Sequence, residues 1–211
     1  MKKTSLILVA LVLIIIVFSI YKYNFGNNNI NDNTNNADVA DINNQTVKQD
    51  FSHDGTYTID GRKVTLKNGI SEVPAAPGSS SKIVTKYFGN DLKHDLDEDG
   101  KEDRVFILTE ESGGSGVFYY VVALLDTSSG PVGSDGVLLG DRIAPQTINI
   151  DEGKTTRGTT RQNVIVVNYA DRKLGDSFAV APSVGKSIWL KLDPKTMQFG
   201  EVAQNFEGEI K

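Results

Sequence analysis

The chain has 211 residues, with 22 Lys or Arg against 27 Asp or Glu, for a net charge of −5 at neutral pH. A weakly acidic chain with no broad basic face is repelled by phosphate, which argues against a nucleic-acid partner. It contains no Cys, so disulfides, thiol catalysis, Cys-ligated zinc and lipidation at a lipobox are excluded together. His53 and His94 are the only imidazoles. The length suits one domain of ordinary size plus appendages.

Lys2 and Lys3 precede an apolar run from Leu6 to Ile20 broken only by Ser19, and Tyr21, Lys22 and Tyr23 follow as interfacial residues. The run is near the lower limit for a spanning helix, so a cleaved signal peptide competes with a retained anchor over residues 1–23. Val17-Phe18-Ser19 can pass as a cleavage site, but no Ala-x-Ala is present and the apolar run is long for a signal, which favours a single-pass anchor in the cell membrane. Positive charge before the run places the N-terminus in the cytoplasm and the remainder outside. Residues 24–50 are dominated by Asn with Asp and Thr, and hold too few large apolar side chains for a core. They read as a disordered linker with a reach of about 25–30 Å.

From residue 51 to 211 the pattern is that of an extracytoplasmic β domain. Tyr57–Ile59, Lys63–Lys67 and Ile70–Val73, separated by Asp60-Gly61 and Asn68-Gly69, predict a three-stranded meander with type I′ turns. Pro74–Ser81 is a loop. Ile83–Phe88 and Arg104–Thr109 flank the segment Asp95-Leu96-Asp97-Glu98-Asp99-Gly100-Lys101-Glu102-Asp103, which spells DxDxDGxxD. Carboxylates at Asp95, Asp97, Asp99 and Asp103, with Gly100 for the sharp turn, converge hard oxygens on one Ca²⁺, and the Lys101 carbonyl adds another ligand. An EF-hand needs a bidentate Glu at the twelfth position, where Phe106 stands, so this is not a helix-loop-helix hand. The competing reading is a solvated acidic turn.

Gly113–Gly116 turns the chain into Val117–Leu125, whose near-continuous apolar character marks a central strand buried on both faces. The Gly-rich turn matches neither a dinucleotide loop nor a nucleophile elbow. Val137–Leu139, Thr147–Ile150, Asn163–Tyr169, Ser187–Leu192 and Met197–Val202 continue the strands, and Trp189 reads as core. No segment sustains a 3.6-residue apolar period, so the fold class is all-β, an antiparallel sandwich or small barrel. Asp141-Arg142 and Asp171-Arg172 each follow a strand. They are either a polar pocket for a carboxylate or sugar, or salt bridges tying loops to the sheet.

The DxDxDGxxD loop resembles those of FG-GAP repeats and, more loosely, dockerins. With Tyr87–Asn90, Gly113–Ala123, Leu138–Gln146, Asn168–Arg172 and Pro182–Gly185, the stretch from Tyr57 to Leu192 resembles an uncharacterised family of small exported or membrane-anchored bacterial proteins. In that family the domain accompanies other envelope modules, including lysozyme-inhibitor-like ones, which implies an envelope role. This chain departs from the family in a longer hairpin at Asp151–Gln162, whose Thr155–Arg161 tip is locally basic. Three functions follow in order: a non-catalytic binding or scaffold module contacting envelope polymer or protein; an inhibitor of a wall-degrading enzyme using that hairpin; and a hydrolase built on Glu110 or Glu111 with Asp141 or Asp171. Adjacent strand residues face opposite ways, so Glu110 and Glu111 do not share a cleft by default. No catalytic residue is assigned.

Overall fold

The computed structural model describes residues 51–151, 153 and 162–202. The expected anchor, the linker and the tip of the 151–162 hairpin lie outside them. Among the described residues no helix is long and apolar enough to cross a membrane. After a 3-10 turn at Phe51–His53 come β1 (Thr56–Ile59), β2 (Arg62–Thr65), β3 (Ile70–Pro74), β4 (Lys82–His94), β5 (Asp103–Glu111) and β6 (Phe118–Thr127). The series continues with β7 (Gly130–Gly133), β8 (Val137–Asp141), β9 (Ala144–Ile150), β10 (Val164–Asp171), β11 (Val184–Asp193) and β12 (Gln198–Glu201). The expected all-β class holds for these residues.

β5 and β6 organise the domain. Their alternate residues feed two different cores, because both faces of each strand are apolar. Phe106, Leu108, Tyr120, Val122 and Leu124 pack with Tyr57, Ile59, Val64 and Leu66 of the β1–β2 region. Val105, Ile107, Val121, Ala123 and Leu125 pack with residues of a second sheet, among them Ile148, Ile165, Val167, Leu190 and Leu192. The central-strand expectation for Val117–Leu125 is met, and β5 shares the role.

The first sheet runs β3-β4-β5-β6-β7, with β8 also on β6. β7 pairs Leu124–Thr127 and β8 pairs Phe118–Val121, so the two short strands share one edge of β6. The second sheet runs β12-β11-β10-β9, all antiparallel. The β1–β2 hairpin extends the first sheet around its β7–β8 edge: Thr58 N–H donates to Ser134 O at 3.1 Å, and Gly136 N–H donates to Thr58 O at 2.8 Å. A glycine is required at 133, where a Cβ would sit 2.2 Å from Thr56 O. The first sheet with its hairpin is thus a half-barrel around the Phe106 core, and the second sheet packs on the half-barrel's opposite face. Sandwich and barrel, left open by the sequence, are both partly realised.

Two expectations need correction. Both turn residues at Asp60-Gly61 and at Asn68-Gly69 take positive φ, as type I′ chemistry requires, yet β3 does not complete a meander with β2. It pairs with β4 in the register Ile70↔Lys86 to Pro74↔Lys82. The turn carries the chain from one layer to the next: Gly69 N–H donates to His53 O and Gly69 O accepts Tyr87 N–H. The resulting edge is protected, because Ile70 exchanges both backbone bonds with Lys67 and Pro74 has no donor. Trp189, expected in the core, pairs with Val166 and belongs to neither apolar cluster. Leu190 and Leu192 face the core, so strand alternation sends Trp189 to the outer face.

Phe106 is fully buried and touches Tyr57 edge-on and Tyr87 at ring centroid distances of 5.6 and 5.3 Å. Phe106→Ala is expected to cost about 3–5 kcal/mol, whereas Val132→Ala, at an exposed position, should stay within about 0.5 kcal/mol. Urea unfolding of residues 51–211 measures both.

Candidate metal site

The loop between β4 and β5 is held from the inside. Leu96 is buried in the core between the sheets. Its N–H donates to Asp103 Oδ2 at 2.8 Å, and Asp126 N–H donates to Asp103 Oδ1 at 2.9 Å. Asn163, entering β10 at φ 55°, clasps the loop from the second sheet: its Nδ2 donates to Leu96 O at 3.1 Å and Glu98 Oε1 at 3.2 Å. Its Oδ1 lies 3.1 Å from His94 Nε2.

With that frame fixed, the acidic side chains fold back on their own backbone. Gly100 N–H donates to Asp95 Oδ2 at 2.9 Å, and Asp99 N–H is shared between Asp95 Oδ1 and Asp97 Oδ1, both at 3.2 Å. Lys101 N–H donates to Asp99 Oδ1 at 2.9 Å. Gly100 takes φ 85°, the conformation that a Cβ would strain. One carboxylate oxygen each from Asp95, Asp97 and Asp99 consequently lies within 4.8 Å of the others. These three residues can hold a metal ion. Like charges so close repel by roughly 1–4 kcal/mol per pair. Lys101 relieves part of this, its Nζ lying 3.7 Å from Asp99 Oδ2 while donating to Asp126 O at 3.1 Å.

Asp103, the ninth position of the motif, stands outside that trio of oxygens and is 1% exposed. Burial pushes its pKa up; the two backbone N–H bonds oppose the shift, and the charges of Asp97 and Asp95 add to it.

The two Asp-Arg pairs do meet at one end of the sandwich. Asp141 accepts Arg142 Nε at 3.1 Å and Nη2 at 2.9 Å, together with Val117 N–H at 2.9 Å. Asp171 accepts Lys186 Nζ at 2.6 Å. The Arg172 backbone N–H donates to Asp171 Oδ1 at 2.7 Å, while its guanidinium donates to Arg142 O at 2.7 Å and Val180 O at 2.6 Å. The guanidinium of Arg142 lies 3.9 Å above the Phe178 ring and that of Arg172 at 5.5 Å. Both carboxylates are held below their usual range, Asp141 chiefly by its bonds from Arg142 and Asp171 chiefly by Lys186. The geometry is that of ion pairs that tie loops to strands.

Glu110 and Glu111 separate as alternation requires. Glu110 is buried, bound at 2.7 and 2.9 Å by Arg62 and at 3.1 Å by Thr85 Oγ1, whereas Glu111 pairs with Lys86 at 3.1 Å on the surface. Of the 151–162 hairpin, Asp151 N–H donates to Val164 O, and its tip lies outside the described residues. Sequence reading missed Asn163 and Phe178. A single Asn before a strand and a single Phe in a loop carry no spacing signal. No family model, curated protein or solved structure matches the chain.

Because the folded pKa of Asp141 is lowered, its contribution is complete above the ordinary carboxylate value and is lost as pH falls through the folded one. Asp141→Asn should therefore cost about 1–2 kcal/mol at pH 7, and urea unfolding as a function of pH should show the two proteins converging in acid. A difference unchanged down to the acid limit would place the effect in packing instead.

Proposed function

We propose that the protein is a membrane-tethered extracytoplasmic β domain whose β4–β5 loop is a structural Ca²⁺ site, serving as a non-catalytic binding or scaffold module of the cell envelope. The observation that carries the calcium reading is the convergence of the Asp95, Asp97 and Asp99 carboxylates on a loop whose backbone N–H groups orient them. All-oxygen, multiply anionic donors suit a hard cation, and Ca²⁺ tolerates the irregular geometry of such a loop better than Mg²⁺. The Lys101 carbonyl and, on the motif spacing alone, Asp103 are the further proposed ligands; in this structure both Asp103 oxygens accept backbone N–H, from Leu96 and Asp126, and brace the loop. When bound, the ion supplies the positive charge that three adjacent carboxylates need, and it fastens the β4–β5 hairpin.

The binding-module reading draws support from how the candidate catalytic carboxylates are held. Glu110 is fixed by Arg62 and Thr85, Glu111 by Lys86, Asp141 by Arg142 and Asp171 by Lys186. Each is committed to an ion pair rather than aimed with a second carboxylate at a shared cleft, as glycoside hydrolysis demands. The Leu6–Ile20 run with Lys2 and Lys3 before it supports the tether and its orientation, and millimolar external calcium fills even a weak site.

Thermal unfolding of residues 51–211 in millimolar calcium and in chelator tests the site. Saturating calcium is expected to raise the midpoint by about 5–10 °C, and the Asp97→Ala, Asp99→Ala double variant should lose that rise. Equal midpoints for the native protein in calcium and chelator would overturn the reading, leaving the loop an acidic turn.

A further inference from the structure

The β10–β11 connection displays apolar side chains that nothing in the fold requires to be outside. Eight large apolar residues are exposed among those described, and three of them, Leu174 at 107%, Phe178 at 55% and Val180 at 46%, fall within seven positions of this loop. The segment is not slack chain that failed to collapse. Arg172 grips it at Val180 O and ties it to Arg142 O. Asp176 N–H closes a turn onto Lys173 O at 3.0 Å, and Val180 N–H closes another onto Ser177 O at 2.9 Å. Phe178 rests on the guanidinium of Arg142 at 3.9 Å. Three large apolar side chains held outward within seven positions on a hydrogen-bonded frame offer a surface for an intermolecular contact.

Two features select the partner. The first is composition. A leucine, a phenylalanine and a valine, with Lys173 exposed beside Leu174, the Arg172 guanidinium 5.5 Å from the Phe178 ring and Asp176 as the acidic side chain between them, give a segment apolar at the tip and net cationic at its base, as a lipid headgroup boundary requires. The second is the chain outside the described residues. The Leu6–Ile20 run precedes an Asn-rich stretch that ends at residue 50; on the tether reading, a stretch of that length and composition would keep the domain within about 25–30 Å of the bilayer. Tethering raises the local concentration of bilayer surface seen by the loop, so three side chains suffice for a contact too weak to recruit a free protein.

We propose that the β10–β11 loop is a second, reversible contact with the lipid bilayer, in which Leu174, Phe178 and Val180 enter the interface while Arg172 and Lys173 face lipid phosphates. The inference rests on the tether reading given above. The metal loop then points away from the membrane, because β10 runs from Asn163 at that loop to Asp171 at the base of this one.

The chain has no Cys, so Leu174→Cys gives a unique thiol at a fully exposed position. The full-length protein is reconstituted in phosphatidylcholine–phosphatidylglycerol vesicles with brominated acyl chains and labelled with an environment-sensitive fluorophore. Ser128→Cys, in the exposed β6–β7 turn beside the metal loop, is the comparator. The label at 174 should shift to the blue and be quenched at least about twofold more than the label at 128, and adding Phe178→Ser and Val180→Ser should abolish the difference. Equal quenching at the two positions in vesicle-bound protein would overturn the loop contact while leaving the tether intact. Shielding from aqueous iodide without quenching by bromine would equally overturn it, since the occupant would then be a protein surface such as a second copy. Failure of the full-length chain to enter vesicles at all would remove the tether and this contact with it.

Discussion

Two strands with no polar face determine this architecture. β5 and β6 offer apolar side chains up and down, and a sheet whose middle is apolar on both sides needs a cover on each, since every exposed CH₂ forgoes about 0.8 kcal/mol. The chain supplies one cover before it reaches β5 and the other after it leaves β6. The β1–β2 hairpin contributes Tyr57, Ile59 and Val64 to one side; β9, β10 and β11 contribute Ile148, Ile165, Val167, Leu190 and Leu192 to the other. The hairpin is too small to stand alone, so it borrows an edge, bonding to the β7–β8 segment at Ser134 and Gly136. That borrowing curls the sheet.

β5 carries a buried carboxylate near each end, and the two are satisfied in different ways. Glu110, at the end of β5, is met by the Arg62 guanidinium with two short bonds. One guanidinium nitrogen, Nη2, shared between both carboxylate oxygens, with the Thr85 hydroxyl beside it, satisfies the buried charge. Asp103, at the start of β5, is stabilised by two backbone N–H groups but faces the charges of Asp97 and Asp95. One end is electrostatically closed by the protein's own residues, and the other accumulates negative charge, which is the environment a cation binds.

What could be read in the sequence follows the range over which each signal acts. The I′ turns at Asp60-Gly61 and Asn68-Gly69, the double-sided strand at Val117–Leu125 and the oxygen spacing at Asp95–Asp99 are properties of neighbouring residues, and each has its expected place in the structure. The partner of β3 was not legible, because a turn dipeptide fixes the local bend and not which sheet the next strand joins. Trp189 was misplaced because Ser187–Leu192 alternates too weakly to show which parity is buried; the faces are set by pairing with Val166 and Ile165. Asn163 and Phe178 act across roughly 65 and 36 positions respectively, beyond any motif. The meeting of Asp141-Arg142 with Asp171-Arg172 was anticipated from their places after strands, but their division of labour was not. Arg172 bonds carbonyls while Lys186 takes its neighbour Asp171.

A cation in the β4–β5 loop acts on stability more readily than on shape. The elements that join this loop to the far end of the domain are β5, β6 and β10, which line the core between the sheets. A closely packed interior has low compressibility, and a ligand moves an equilibrium only where it binds two states differently. Leu96 is held both by its place in the core and by its bond to Asp103. Within the proposed reading the ion therefore adds its binding energy to the folded state as a whole, securing the hairpin from which β5 enters the core. On the same reading, any partner would be met by the outward loops and the outer faces of the sheets.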